Sequence, residues 1–180
     1  MSTTGSLHYQ LCLEGAAWLR RRKVDLRKCE DKPCRLSGLC HACLAYKWVA
    51  VELNVVGTEN CDVWGFNGEH TAVIEVKVSH ADFLNDRKKF WRSERATEYQ
   101  PGNYRWYLCP EGVISTDELP DGWGLLVWDG KKIRPVKAPT RRMVTNHGDL
   151  CILASLLRRE AFPEKIYNYR GCNTTIHPKQ

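Results

Sequence analysis

The run from Asn60 to Lys77, NCDVWGFNGEHTAVIEVK, constrains this chain more than any other stretch. Asn67-Gly68 is the strongest short-range signal for a β-hairpin, because both residues tolerate the positive φ angles of a type I′ turn. A two-residue loop there sets Phe66 against Glu69 and, counting back, Asp62 against Val73. Side chains alternate along a strand, so Asp62 shares a face with Val73, Glu75 and Lys77, while Ile74, Val76 and Val78 enter a core on the other. Asp62 and Glu75 are then diagonal neighbours, with Cα atoms about 7–8 Å apart. Two carboxylates so placed can share one hard cation, with Lys77 beside them. The plainer alternative is a surface hairpin carrying a Glu75–Lys77 ion pair.

An Asp followed by Glu-x-Lys on the neighbouring strand resembles the pattern of the PD-(D/E)XK nuclease superfamily. The Pro that often precedes the Asp is absent, and Cys61 stands in its place. Downstream, Ser79 and Asp82 form a capping box that opens a helix at the strand's end. The run EVKVSHADFLNDRKKFW is similar to the signature of the MmcB-like DNA repair family, in which Glu-x-Lys is followed by Ser, Asp-Phe, Asp and Lys-Trp. That likeness extends from about Leu11 to Lys137 and omits a cysteine-rich insert. It implies an α/β, restriction-endonuclease-like fold, a mixed central sheet flanked by helices. It also implies a Mg²⁺- or Mn²⁺-dependent DNA nuclease, an endonuclease rather than an exonuclease, in DNA repair or processing. Asp62, Glu75 and the Val76 carbonyl would hold the metal, and Lys77 would orient the attacking water or stabilise charge on phosphorus.

Two further acids enter with the resemblance. Residues Leu7 to Arg22 read as an amphipathic helix with Leu7, Leu11, Gly15 and Trp18 on one stripe, and Glu14 falls inside it. Many superfamily members add a first-helix glutamate to the metal shell, which would be Glu14; a snorkelling or hydrogen-bonded glutamate is the other reading. Trp48 to Val56 alternates as a strand with Glu52 on its polar face, either an accessory acid beside Asp62 or a solvent-facing residue. Beyond the hairpin, a helix is expected over Ala81–Tyr99 and strands over Tyr104–Cys109, Trp123–Trp128 and Lys131–Val136. A last helix, Asp149–Arg159, is expected to bury Leu150, Leu153 and Leu157 behind an Asn146 cap.

At 180 residues, 43% of them hydrophobic and 27% charged, the chain suits one globular domain spanning 1–180. No run resembles a signal peptide or a membrane span, which predicts a cytoplasmic protein without a membrane partner. In that compartment the nine cysteines read as ligands or reduced core residues rather than disulfides. Cys29, Cys34, Cys40 and Cys43 fall in a segment, 27–46, rich in turn formers. They suit a structural Zn²⁺ knuckle, with His41 as an alternative ligand and an iron–sulfur cluster as the competing reading. The net charge of +6 favours a polyanion, here DNA. Arg87, Lys88, Lys89 and Arg92 on the helix after the hairpin, with Lys131 and Lys132, are the candidate phosphate contacts. The competing functions are a catalytically silent DNA-binding module and a zinc-stabilised adaptor that binds protein through Trp64, Trp91, Trp123 and Trp128. RNA as substrate and a homodimer both stay open. If the four cysteines hold zinc, freshly purified protein should carry about one equivalent, and its removal should destabilise this segment. Elemental analysis finding neither zinc nor iron would refute the knuckle.

Overall fold

The computed structural model describes residues 6–21, 45–143, 145–159, 166–167 and 175–176. Cys29, Cys34, Cys40 and Cys43, with most of segment 27–46, lie outside them. The order is α1 (Leu7–Arg20), β1 (Trp48–Val51), β2 (Val63–Phe66), β3 (Thr71–Val76), α2 (His80–Asp86), two 3₁₀ stretches (Phe90–Arg92 and Glu94–Tyr99), β4 (Tyr104–Pro110), β5 (Gly124–Trp128), β6 (Ile133–Lys137) and α3 (His147–Arg159). The six strands lie side by side in sequence order. β1, β2 and β3 pair antiparallel, β3 with β4 and β4 with β5 parallel, and β5 with β6 antiparallel. The result is α/β, a mixed sheet flanked by helices. β7 (Ile166–Tyr167) and β8 (Thr175–Ile176) form a separate antiparallel pair.

The hairpin forms with a register different from the expected one. Val63 faces Ile74 and Phe66 faces Thr71, so the loop is the four residues from Asn67 to His70. The Asn67 side chain is the reason: its Oδ1 accepts from the backbone N–H groups of Glu69 and His70, at 2.9 and 2.8 Å, and its own N–H donates to the His70 carbonyl. An asparagine that caps its own turn in this way competes with the tighter two-residue loop. The slip is two residues, the strand period, so every side chain keeps its expected face.

Each face of the sheet has its own core. On one, α1 lays Leu11, Cys12 and Leu19 over Val63, Ala72, Ile74, Val76 and Leu108. Gly15 permits that approach, since a Cβ there would meet Leu108 Cδ2 at 3.2 Å and Ile74 Cδ1 at 3.5 Å. Leu11 and Gly15 of the expected stripe are buried, but Cys12 and Leu19 complete it in place of Leu7 and Trp18. Leu7 is 41% exposed and Glu14 lies half-buried outside the stripe, because contact with the sheet, not the N-terminal leucine, sets the helix phase. On the other face, Phe83 of α2 joins Tyr107, Trp123 and Leu125, and Ile152 of α3 joins Trp64 and Val73.

Three boundaries differ from expectation. The helix after the hairpin stops at Asp86 and gives way to two 3₁₀ stretches, from the first of which Arg92 reaches back to Asp86, Glu75 and Glu59. β1 stops at Val51, where Glu52 takes a left-handed φ of 47°. In α3 the buried positions are Gly148, Asp149, Ile152 and Ser155, whereas Leu150 and Leu157 are exposed. Asp149 decides this phase by accepting from Trp64 Nε1 at 2.8 Å and from the Gly102 N–H at 3.2 Å. No helix among the described residues is long and apolar enough to cross a membrane.

Gly15→Val should force α1 off the sheet, at about 1–3 kcal/mol for overpacking. Thermal denaturation should then show a Tm lowered by roughly 2–4 °C for each kcal/mol in a chain of this size. An unchanged Tm would mean the helix does not rest on Leu108 and Ile74.

Candidate functional site

Three acids stand in one row across the first three strands. The Glu52 N–H donates to the Asp62 carbonyl at 2.8 Å. Val63 faces Ile74, so one residue on, Asp62 stands against Glu75, and Glu75 in turn faces Tyr107 on β4. Asp62 and Glu75 are therefore closer in register than the expected diagonal pair. Asp62 lies just before the β2 ladder begins, and its Oδ2 accepts from the Val76 N–H at 2.7 Å, which pins the carboxylate to β3. From α1, His8 brings Nδ1 to 3.4 Å from Glu52 Oε1 and Nε2 to 3.5 Å from Asp62 Oδ2.

Glu75 and Lys77, two residues apart on β3, project into a buried network of charges. Lys77 Nζ lies 3.5 Å from Glu75 Oε2 and 3.2 Å from Asp86 Oδ1. Arg92 reaches Asp86 at 2.7 Å, Glu75 at 3.4 Å and Glu59 by direct contact. Arg105 pairs with Glu59 at 2.7 Å, and the Tyr107 hydroxyl donates to Asp86 at 2.8 Å. Both guanidinium groups lie over the Trp123 ring, which stacks on Tyr107. Glu59, Glu75, Lys77, Asp86 and Arg105 are all at most 3% exposed. Glu75 Oε1 is buried without a hydrogen-bond partner among the described residues. Asp86 Oδ1 has cations at 3.2 and 2.9 Å but no well-directed hydrogen bond.

The environment separates these carboxylates. Burial, then Asp62 and Glu59, push the Glu75 carboxyl up to about 8 against the pull of Arg92 and Lys77. Burial also acts upward on Asp86, but Arg92 and Lys77 overcome it and hold that carboxyl well below the usual carboxylate range. For Lys77, burial favours the neutral amine, yet Glu75 and Asp86 outweigh it and raise the ammonium above its ordinary value. Lys77 is therefore a cation and a donor at neutral pH, and Glu75 is largely protonated while nothing else compensates its charge.

The structure brings together Asp62, Glu75, Lys77 and Glu52 and leaves Glu14 apart, its half-buried side chain without a hydrogen bond or ion pair among the described residues. Of the basic candidates, Arg87, Lys88, Lys89, Lys131 and Lys132 are exposed. Arg92 is not: its side chain is 8% exposed and faces acids, a departure from the expected phosphate-contacting helix face. Beside it opens a cleft of about 500 Å³ whose walls include Arg87, Arg92, Trp123 and Arg142. Trp64 and Trp123 are buried, which withdraws them from the surface that an adaptor would need. Sequence reasoning missed His8, Glu59, Asp86 and Arg105. Arg105 carried the clearest signal, a lone charge inside the apolar strand YRWYLCP, where an unpaired cation is not tolerated.

These elements define an α/β protein with acids at the ends of its first three strands and a buried cluster of acids and bases beside them. No family model matches the chain, and no curated protein matches it. A solved structure described as SPO1766 protein of unknown function from Silicibacter pomeroyi is similar over 63% of this chain and 75% of its own, at 22% identity and a TM-score of 0.47. A likeness of that depth says nothing about what either protein does.

Glu75 makes a pH-dependent contribution to stability. Its folded value, about 8, lies above the ordinary 4.5, so its stabilising contribution is complete below about pH 4.5. It is lost as pH rises through about 8, at roughly 1.4 kcal/mol per pH unit. Glu75→Gln imitates the protonated acid. Denaturant unfolding in EDTA between pH 5.5 and 8 should show stability falling less steeply in the variant than in wild type, and equal slopes would refute the raised value.

Proposed function

We propose that the protein is a Mg²⁺- or Mn²⁺-dependent nuclease of the PD-(D/E)XK type that cleaves DNA, an endonuclease acting in repair or processing. The observation that carries this reading is the grouping of Asp62, Glu75 and Lys77, with one Glu75 oxygen buried and unpartnered among the described residues. Hard oxygen donors with spare lone pairs fit a hard divalent ion, and Asp62, Glu75 and the Val76 carbonyl would hold it. When bound, such an ion polarises the scissile phosphate and lowers the pKa of a coordinated water.

The chain's own groups do the rest. Lys77 is held cationic by Glu75 and Asp86, so it serves as a donor rather than a base. It orients the water and stabilises the charge that builds on the phosphoryl oxygens. Arg92 and Asp86 flank Glu75 and Lys77 and limit their rotation. Water adds to phosphorus, the bond to the leaving oxygen breaks, and that oxygen takes up a proton. The exposed Arg87, Lys88, Lys89, Lys131 and Lys132 contact backbone phosphates, and the guanidinium-lined cleft beside Arg92 supplies positive potential near the acids.

A panel of single-stranded, duplex and branched DNA, incubated with Mg²⁺, Mn²⁺ or EDTA, tests the proposal. Asp62→Asn and Glu75→Gln should each cut the rate by more than the roughly 10- to 100-fold that loss of an outer-shell partner costs a metal site. Lys77→Ala should retain metal and lose roughly 10²–10³-fold in rate, as removal of one preorganised donor does. DNA binding should survive all three changes and weaken with salt. If wild-type protein binds DNA but cuts nothing with any divalent ion, the non-catalytic DNA-binding module replaces the nuclease.

A further inference from the structure

A second group of metal-ligating side chains lies beside the acid pair. His8 and Cys12 are four residues apart, on one side of α1, and Glu52 is turned toward them just past β1. Their ligand atoms all lie within 4.8 Å of one another. His8 Nδ1 is 3.6 Å from Cys12 Sγ and 3.4 Å from Glu52 Oε1. A tetrahedral ion at about 2.0–2.1 Å from nitrogen and oxygen and about 2.3 Å from sulfur sets its ligand atoms roughly 3.3–3.6 Å apart. Both measured edges fall at that spacing.

We propose that His8, Cys12 and Glu52 form a second metal site for a borderline divalent transition ion of the Zn²⁺ class, distinct from the hard-cation site at Asp62 and Glu75. The donor set decides the class of ion: a thiolate and an imidazole suit Zn²⁺ or Co²⁺ and disfavour Mg²⁺, which prefers oxygen and retains water. Three protein ligands leave a fourth position for water or an exogenous ligand, as in sites that exchange or react rather than purely structural ones. Partial exposure of His8 and Glu52, at 31% and 46%, provides an entry path to the buried Cys12.

The other ring nitrogen explains the orientation of His8. With Nδ1 on the ion, Nε2 carries the proton and faces Asp62 Oδ2 at 3.5 Å, a carboxylate–histidine–metal arrangement that fixes ring and tautomer. Asp62 is in turn pinned by the Val76 N–H. The two sites thus meet at Asp62, as ligand to one and orienting partner to the other. Loading of the trio does not depend on the nuclease reading, since neither Glu75 nor Lys77 takes part.

The test uses the full chain with any tightly held zinc left in place, titrated with Co²⁺ in millimolar Mg²⁺. Wild type should take up one further equivalent, with tetrahedral d–d bands and a thiolate-to-cobalt charge-transfer band. His8→Ala and Cys12→Ala should each lose that equivalent, and Glu52→Gln should bind about tenfold more weakly or worse. Zn²⁺ should displace the cobalt, whereas Mg²⁺ should not. Comparison with the variants separates this uptake from any at the four-cysteine segment. The partly exposed His8→Ala keeps the test decisive if Cys12→Ala disturbs the core, with circular dichroism reporting the fold. No extra equivalent in wild type, or an unchanged spectrum in folded His8→Ala, would overturn the site and leave an ion pair beside a thiol.

Discussion

Arg92 faces three carboxylates at once, and the second layer of the molecule depends on it. Taking Glu59, Glu75 and Asp86 out of water is unfavourable by several kcal/mol each unless cations accompany them. Arg92, Arg105 and Lys77 do so, three against three, with Trp123 as a flat surface under both guanidinium groups. The matching is uneven. Asp86 receives Lys77, Lys89, Arg92 and the Tyr107 hydroxyl, whereas Glu75 has Arg92 and Lys77 at 3.4 and 3.5 Å on one oxygen, and its other oxygen has no hydrogen-bond partner among the described residues. One carboxylate is therefore held ionised and the other is left largely neutral, although both occupy the same buried layer.

The sheet creates this asymmetry by where its strands end. β1 stops at a left-handed Glu52, β2 begins one residue after Asp62, and β3 runs on through Glu75 toward Lys77. Acids at the ends of strands keep some access to solvent, while those one strand inward lose it. α1 closes the open side with His8, whose two ring nitrogens face the two outer acids. Gly15 lets the helix approach closely enough for this, so a packing feature in the middle of α1 governs polar geometry at its N-terminus.

Much of this was legible in the sequence, for identifiable reasons. The hairpin register differs from the two-residue-turn expectation by two residues because the Asn67 side chain stabilises a longer loop. The faces nevertheless survived, because the error equalled the period of the strand. Helix phases were read less well. In α1 the expected Leu11 and Gly15 are inside, but Cys12 and Leu19 accompany them rather than Leu7 and Trp18, and in α3 the bonds from Trp64 and Gly102 to Asp149 turn the helix away from the leucine stripe. A hydropathy pattern cannot anticipate an aspartate that belongs inside. The run from Arg87 to Arg92 read as one exposed basic helix because local propensity carries no information about Glu59, 33 residues before Arg92. Buried ion pairs join distant segments, and a charge is recognisable as structural only once its partner is in view.

A closed network of this kind also restricts how its sequence can change. Replacing Glu59, Asp86, Arg92 or Arg105 alone strands an opposite charge in the interior, at about 3–5 kcal/mol, a large share of the total stability of a typical domain. Single-step drift at Glu59, Asp86, Arg92 or Arg105 is thereby blocked, whereas a simultaneous exchange of two partners is not. Across divergent descendants these positions should vary together or not at all, so the electrostatic map of the interior is also a map of which residues evolve as a unit.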